Sequence, residues 1–79
     1  MQKLPLCSSR QVCKVLERLG FKKHKRTGGS HQSYVKQTSM GSKLSVTVVL
    51  GKKELPRGTL KAILERAEIS ESEFQKHLK

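Results

Sequence analysis

The sequence is short of acidic residues. Six Asp and Glu stand against 17 Lys and Arg, for a formal net charge of +11 over 79 residues. The first 53 residues hold 12 basic residues and a single acid, Glu17, whereas residues 54–79 hold five of each. Solubility alone accounts for many basic proteins, but an excess confined to two thirds of the chain favours a polyanionic partner. We therefore expect this protein to bind nucleic acid.

Cysteines and long apolar runs are also scarce. Cys7 and Cys13 are too few for a disulfide framework and lack C-x-x-C spacing, which is typical of a reduced intracellular protein, with Cys13 packed as a small apolar residue. The longest apolar run, Val46 to Leu50, is interrupted by Thr47, and no N-terminal apolar segment has signal-peptide length. We expect a cytoplasmic protein without a membrane segment. No cluster of Asp, Glu, His and Cys has metal-ligand spacing, so we expect neither a metal nor another cofactor.

The first 20 residues predict a short lead-in followed by a helix. Pro5 argues against an earlier helix, Ser8 is suited to the N-cap with Gln11 completing a capping box, and Gly20 is suited to a left-handed C-cap. One apolar stripe runs along this helix: Val12, Val15, Leu16 and Leu19. Basic residues recur on its other side at Arg10, Lys14 and Arg18, a pattern more typical of a solvated face than of phosphate contacts.

The middle of the chain predicts three strands in an antiparallel meander. Phe21 to Arg26 is lysine-rich and suits an edge strand. His31 to Gln37 and Leu44 to Leu50 alternate in polarity, and polar Ser/Gly residues fill the turn between them.

The last third predicts two helices. Pro56 is expected in the first turn of the second helix, and Ser70 with Glu73 forms a capping box for a short final helix. The resulting order, α-β-β-β-α with a small extra helix, predicts a two-layer α+β sandwich with both main helices on one face of the sheet. We expect a single domain, with a core at about 8–69 and a helical extension at 70–79.

The most informative motif is the glycine turn that precedes His31. Gly28 and Gly29 allow positive φ and close approach of a ligand, and the ring of His31 would be fixed at the start of a strand. His24 lies among four cations and is better read as a surface residue. Lys52, Lys53 and Arg57 surround the predicted N-terminus of the second helix, where an anion is favoured, although they also suit a merely soluble loop. We expect RNA contacts from eight basic residues: Lys22, Lys23, Lys25, Arg26, Lys36, Lys52, Lys53 and Arg57.

Two blocks of the sequence resemble the HicA toxin family (YcfA-like proteins). Arg26 through Tyr34 is similar to the family signature R-x-x-G-S-H-x-x-[YF], and Lys53 through Leu64 is similar to K-E-L-x-x-G-T-L-x-x-I-L. The acidic pair before Phe74 resembles the family's C-terminal tail, so the similarity spans about Ser9 to Leu78. One departure is that many members carry Pro followed by His or Asn after the third strand, where this chain reads Val48-Val49-Leu50-Gly51. The lead-in before Ser9 is also longer than the family pattern.

The resemblance implies a double-stranded-RNA-binding-like fold, ribosome-independent cleavage of mRNA, and a HicB-type antitoxin as partner. It assigns the catalytic role to His31 and a supporting role to Gly29 and Ser30.

The residues are compatible with this chemistry. RNA supplies its own nucleophile, the 2′-OH, and a histidine with the usual near-neutral pKa can act as general base or acid. Nearby cations and turn N–H groups can stabilise charge on the phosphoryl oxygens. The second proton-transfer group is not identified. Two alternatives stay open: a non-catalytic double-stranded-RNA-binding module, which would share the fold and the charge, and a protein-interaction adaptor.

Overall fold

The computed structural model describes residues 4–78, so the first three residues of the predicted lead-in lie outside the described range. Three helices and three strands follow one another along the chain: α1 (Ser9–Arg18), β1 (Lys22–Thr27), β2 (His31–Gln37), β3 (Lys43–Val49), α2 (Arg57–Ala67) and α3 (Glu71–Lys76). The strands form one antiparallel sheet in the order β1-β2-β3. The predicted α+β fold, of the double-stranded-RNA-binding type with a short extra helix, is confirmed.

Local hydrogen bonds fix both ends of α1, as predicted. Ser8 Oγ accepts from the Gln11 N–H at 3.1 Å, and Gln11 Oε1 accepts from the Ser8 N–H at 2.8 Å, which completes the capping box. The helix ends at Arg18, and Gly20 follows with φ +97°, a left-handed conformation that favours glycine. Val12, Val15 and Leu16 of the apolar stripe are buried in the core, and Leu19, the C-cap residue, is partly buried against it.

The sheet has one buried face and one open face. Gln32 and Tyr34 of β2 and Val46 and Val48 of β3 are buried beneath the helices. The alternate residues of the same strands, including His31, point away from the helices, and we call this side the open face. The apolar alternation of β3 thus predicted correctly that Val46 and Val48 face the core.

Strand β1 contains a β-bulge that the sequence did not predict. Lys23 pairs with Tyr34 and Arg26 with Gln32, so His24 and Lys25 together oppose one residue of β2. All six residues of β1 are exposed, in agreement with the predicted edge strand. In a regular strand, residues three apart would point to opposite faces. The bulge instead places Lys23 and Arg26 on the same face, the one shared with the helices.

The C-terminal helices differ from prediction at one position. Pro56 precedes α2 as its N-cap residue, with an extended ψ of 142°, rather than lying in the first helical turn. Ser70 Oγ accepts from the Glu73 N–H at the start of α3, which is one of the two hydrogen bonds of the predicted capping box. Phe74 is fully buried and docks α3 on the core, and Arg18 Nη1 of α1 donates to the carbonyl of His77 at 2.8 Å. Within the described residues, no helix combines the length and apolar character needed to cross a membrane.

Candidate nucleic-acid interface

The turn before His31 has the backbone conformation that its glycines predicted. Gly28 has φ +60° and Gly29 has φ +76°, and with Ser30 they form the loop between the paired residues Thr27 and His31. A side chain at either glycine would be strained, because only glycine adopts left-handed φ at little cost. The Arg26 Nε–H donates to the Gly29 carbonyl at 2.8 Å and closes the turn from one side. The loop is therefore a defined support for the residue that follows it.

His31 is the first residue of β2 and is exposed on the open face. It pairs with Thr27 on one side and with Val49 on the other, so the backbone on both flanks fixes its position. Its Nδ1 lies 3.4 Å from Ser30 Oγ. Residues 4–78 offer no hydrogen-bond partner to the other ring nitrogen, Nε2, which can therefore meet a ligand.

Three segments are tied together at this end of the molecule. The Leu50 N–H donates to the Ser30 carbonyl at 2.6 Å, which joins the glycine turn to the end of β3. The buried Ser9 hydroxyl donates to the Val49 carbonyl at 2.6 Å and accepts from the Lys52 N–H at 3.0 Å, and the Ser9 N–H donates to the Lys52 carbonyl. The start of α1, the glycine turn and the β3–α2 loop therefore form one hydrogen-bonded unit. Sequence reasoning missed Ser9, because a serine next to an N-cap carries no pattern that predicts burial.

A basic groove of about 330 Å³ lies between α1 and the sheet, beside this unit. Its cations are Arg10 and Lys14 from α1 and Lys23 and Arg26 from β1. The β-bulge brings the two β1 residues to this face. The first two were assigned to a solvated helix face, because a spacing of four residues places them on one side of α1 without showing whether that side borders a groove.

The floor of the groove contains a buried phenol. Tyr34 Oη donates to Glu17 Oε2 at 3.3 Å, which engages the one acid of the first 53 residues. Burial, together with the neighbouring Cys13 thiol, raises the pKa of Tyr34 far above its ordinary value, so the phenol stays protonated. Burial also raises the pKa of Cys13, and this thiol packs as the small apolar residue that was predicted.

The predicted RNA-binding residues do not form a single patch. Lys23 and Arg26 line the basic groove, while Lys22 and Lys36 line a separate cavity at the other end of the sheet. Lys25 is exposed in the bulge, and Lys52 and Lys53 are exposed in the β3–α2 loop. The Arg57 Nε–H at the start of α2 donates to the Leu4 carbonyl at 2.9 Å, so the lead-in already engages part of this guanidinium. His24 lies exposed in the bulge, as expected for a surface residue.

The described part of the chain contains no group of three or more His, Cys, Asp or Glu side chains that could hold a metal ion.

Comparison with known families agrees with the two sequence blocks. A family model described as the HicA toxin of bacterial toxin–antitoxin systems matches residues 9–69, a span that contains both blocks and most of the described fold. A search of curated proteins found no match. The matched span begins at Ser9, the residue that ties α1 to the β3–α2 loop, and covers well over half of the sequence. The chain belongs to the HicA toxin family.

Proposed function

We propose that this toxin is a ribosome-independent endoribonuclease that cleaves mRNA by acid–base chemistry at His31 and is neutralised by a HicB-type antitoxin. Family membership makes it a toxin with an antitoxin partner. The observation that carries the nuclease proposal is the placement of His31, which is exposed, has an available Nε2 and is supported by a glycine turn that also holds Arg26.

The proposed reaction uses the substrate's own hydroxyl. The 2′-oxygen attacks the adjacent phosphorus, the bond from phosphorus to the 5′-oxygen breaks, and the products are a 2′,3′-cyclic phosphate and a 5′-hydroxyl. One proton leaves the 2′-OH and one reaches the departing 5′-oxygen. The His31 imidazole carries one of these protons through Nε2, while Ser30 Oγ orients the ring at Nδ1.

Arg26 is suited to stabilise charge on the phosphoryl oxygens. Its Nε–H is committed to the Gly29 carbonyl, which fixes the guanidinium beside the turn. Its two Nη groups have no partner within residues 4–78 and can donate to a phosphate together. Fixed donors of this kind are effective because they need no reorganisation when charge develops.

The rest of the proposed RNA surface lies around the hydrogen-bonded unit that Ser9 forms with the glycine turn and the β3–α2 loop. The basic groove adjoins it on the α1 side, and Lys52 and Lys53 extend from the β3–α2 loop. We propose that these cations bind backbone phosphates on either side of the cut, with Arg57 contributing the guanidinium nitrogens that the lead-in leaves available.

The proposal predicts that His31→Ala lowers the cleavage rate by at least about 10²-fold, the usual contribution of a general acid or base. The fold should persist, because the side chain is exposed. The control is His24→Ala, which removes an exposed histidine from the nearby bulge and should retain activity. Cleavage of a defined RNA, with circular dichroism on each variant, is the measurement.

Product analysis checks the same proposal independently. Wild-type protein should leave cyclic phosphate ends, should fail on a substrate with 2′-deoxyribose at the cut, and should stay active in EDTA. Full activity of a folded His31→Ala protein would remove His31 from the mechanism. RNA binding without cleavage by the wild type would support the non-catalytic alternative.

A further inference from the structure

A second cluster of cations lies at the end of the sheet opposite to His31. Three lysines, Lys22, Lys36 and Lys43, line an open cavity of about 530 Å³, and we call them the far-end cluster. The remaining lining residues, Gly20, Val35 and Gln37, carry no charge. Within the described chain, none of the three lysines pairs with a carboxylate. Three ammonium groups around one cavity repel each other, so an anion between them would be stabilised.

One member of this cluster is held in place by packing. The Nζ of Lys36 lies 5.7 Å from the centroid of the buried Phe21 ring, a cation–π distance. Its Cε lies 3.5 Å from the point where a Cβ on Gly20 would stand. The Lys36 stem is thus laid against the turn after α1, and its ammonium group is presented at the cavity rather than left to sample solvent.

Two members of the far-end cluster share the open face with His31. Lys22 pairs with Val35 and Lys43 with Gln37. Both partners lie an even number of residues from His31 along β2, so they point to the same face as His31. The surface between the two ends carries small hydroxyl and β-branched side chains: Ser33, Val35, Ser45, Thr47 and Val49. None of the three strands contains an acidic residue. A polyanion can therefore cross this face without meeting a like charge.

The distance between His31 and the far-end cluster determines how long an RNA must be to reach both. The two open-face members, Lys22 and Lys43, lie opposite Val35 and Gln37, which are four and six residues beyond His31 along β2. These separations correspond to about 14 and about 20 Å of extended strand. Each strand of duplex DNA carries one phosphate per about 3.4 Å of helix axis, so an RNA strand stacked with a similar rise would cover these distances with on the order of five nucleotides.

We propose that the far-end cluster binds a backbone phosphate of the RNA on one side of the cut, with the strand crossing the open face of the sheet. This inference rests on the proposed function and adds a minimum substrate length to it. RNA that reaches both His31 and the far-end cluster binds more tightly than RNA that reaches His31 alone.

The test measures RNA affinity as a function of length, with His31→Ala protein so that no cleavage intervenes. Single-stranded RNAs of about three to about twelve nucleotides bracket the expected spacing. The double variant Lys22→Gln/Lys43→Gln removes two exposed ammonium groups, and Lys36 is left intact because its ammonium group lies over the buried Phe21 ring. The matched control is Lys61→Gln/Lys76→Gln, which removes the same charge from exposed positions on α2 and α3.

The control protein should show a rise in affinity once the RNA exceeds about five nucleotides, and the far-end variant should lose that rise. For the longest RNA, the far-end variant should also show a flatter dependence of log affinity on log salt. The slope should fall by about 0.7 for each single-strand phosphate that the variant no longer neutralises. Circular dichroism confirms that both variants are folded.

Three results would overturn the inference. One is a far-end variant whose RNA affinity depends on RNA length as in the control protein. Another is an equal loss of affinity at every RNA length, which would reflect net charge alone. The third is loss of antitoxin binding with unchanged RNA binding, which would make the cluster a protein-binding surface. Each of these leaves the proposed cleavage at His31 intact. Failure of the protein to bind RNA of any length would instead contradict both proposals.

Discussion

The two glycines before His31 have the same backbone conformation but different surroundings. A Cβ on Gly28 would stand 3.8 Å from the Nδ1 atom of His31, in ordinary contact with the ring, whereas a Cβ on Gly29 would meet nothing within 4 Å. A substitution at Gly29 therefore tests backbone strain without a steric clash. Gly29 is also the residue whose carbonyl accepts the hydrogen bond from Arg26 Nε.

Gly29→Ala should destabilise the fold by about 1–2 kcal/mol, the cost of left-handed φ for a residue with a Cβ. It should also lower the cleavage rate, because relaxation of the turn would displace His31 and Ser30. Gly58→Ala is the matched control. Gly58 lies in the first turn of α2, where its φ is not positive and the space around it is open. The same change there should raise the free energy of unfolding by about 0.4–1 kcal/mol. Urea unfolding of both variants is the measurement, and equal effects would show that the turn is unstrained.

At the scale of secondary structure, one buried side chain connects three elements. Ser9 lies at the start of α1 and is 2% exposed. Its hydroxyl donates to the last residue of β3 and accepts from the loop that leads to α2. Removing the hydroxyl leaves the Lys52 N–H and the Val49 carbonyl without this hydrogen-bond partner in a partly buried site, which is costly.

Ser9→Ala should therefore lower the free energy of unfolding by about 1–3 kcal/mol. Hydrogen exchange should also speed up at the Lys52 amide, since this amide loses its acceptor. Ser39→Ala is the control, because Ser39 is exposed in the β2–β3 turn. If the two variants unfolded at the same urea concentration, the Ser9 bonds would contribute nothing net to stability.

Sequence patterns predicted the elements better than their irregularities. Alternation located β2 at its observed bounds because two buried residues, Gln32 and Tyr34, fix its register. The bulge in β1 escaped prediction because every residue of that strand is exposed, so no apolar pattern marks where an extra residue is inserted. The basic groove was also missed, because the spacing of Arg10 and Lys14 does not distinguish a solvated face from the wall of a groove.

At the scale of the whole molecule, charge is segregated along the chain and therefore in space. Five of the six acids lie at positions 54–73, in α2, α3 and their connections. The sixth, Glu17, accepts from Tyr34 in the floor of the basic groove. The sheet and α1 consequently carry the positive field, concentrated around the His31 end and at the far-end cluster. Such a field attracts polyanions, and for nucleic acid it does so without regard to sequence.

The salt dependence of RNA binding distinguishes the effect of this positive field from the proposed catalytic role of His31. Lys52→Ala/Lys53→Ala should weaken RNA binding and flatten the slope of log affinity against log salt by about 0.7 to 0.9 for each phosphate left without its lysine. The backbone bonds between Lys52 and Ser9 survive this change, and Arg57 is left alone because its Nε–H holds the lead-in. His31→Ala should behave differently: turnover falls while the slope stays near that of the wild type. A double variant with the wild-type slope would exclude phosphate binding by the β3–α2 loop and assign it to the basic groove and the far-end cluster.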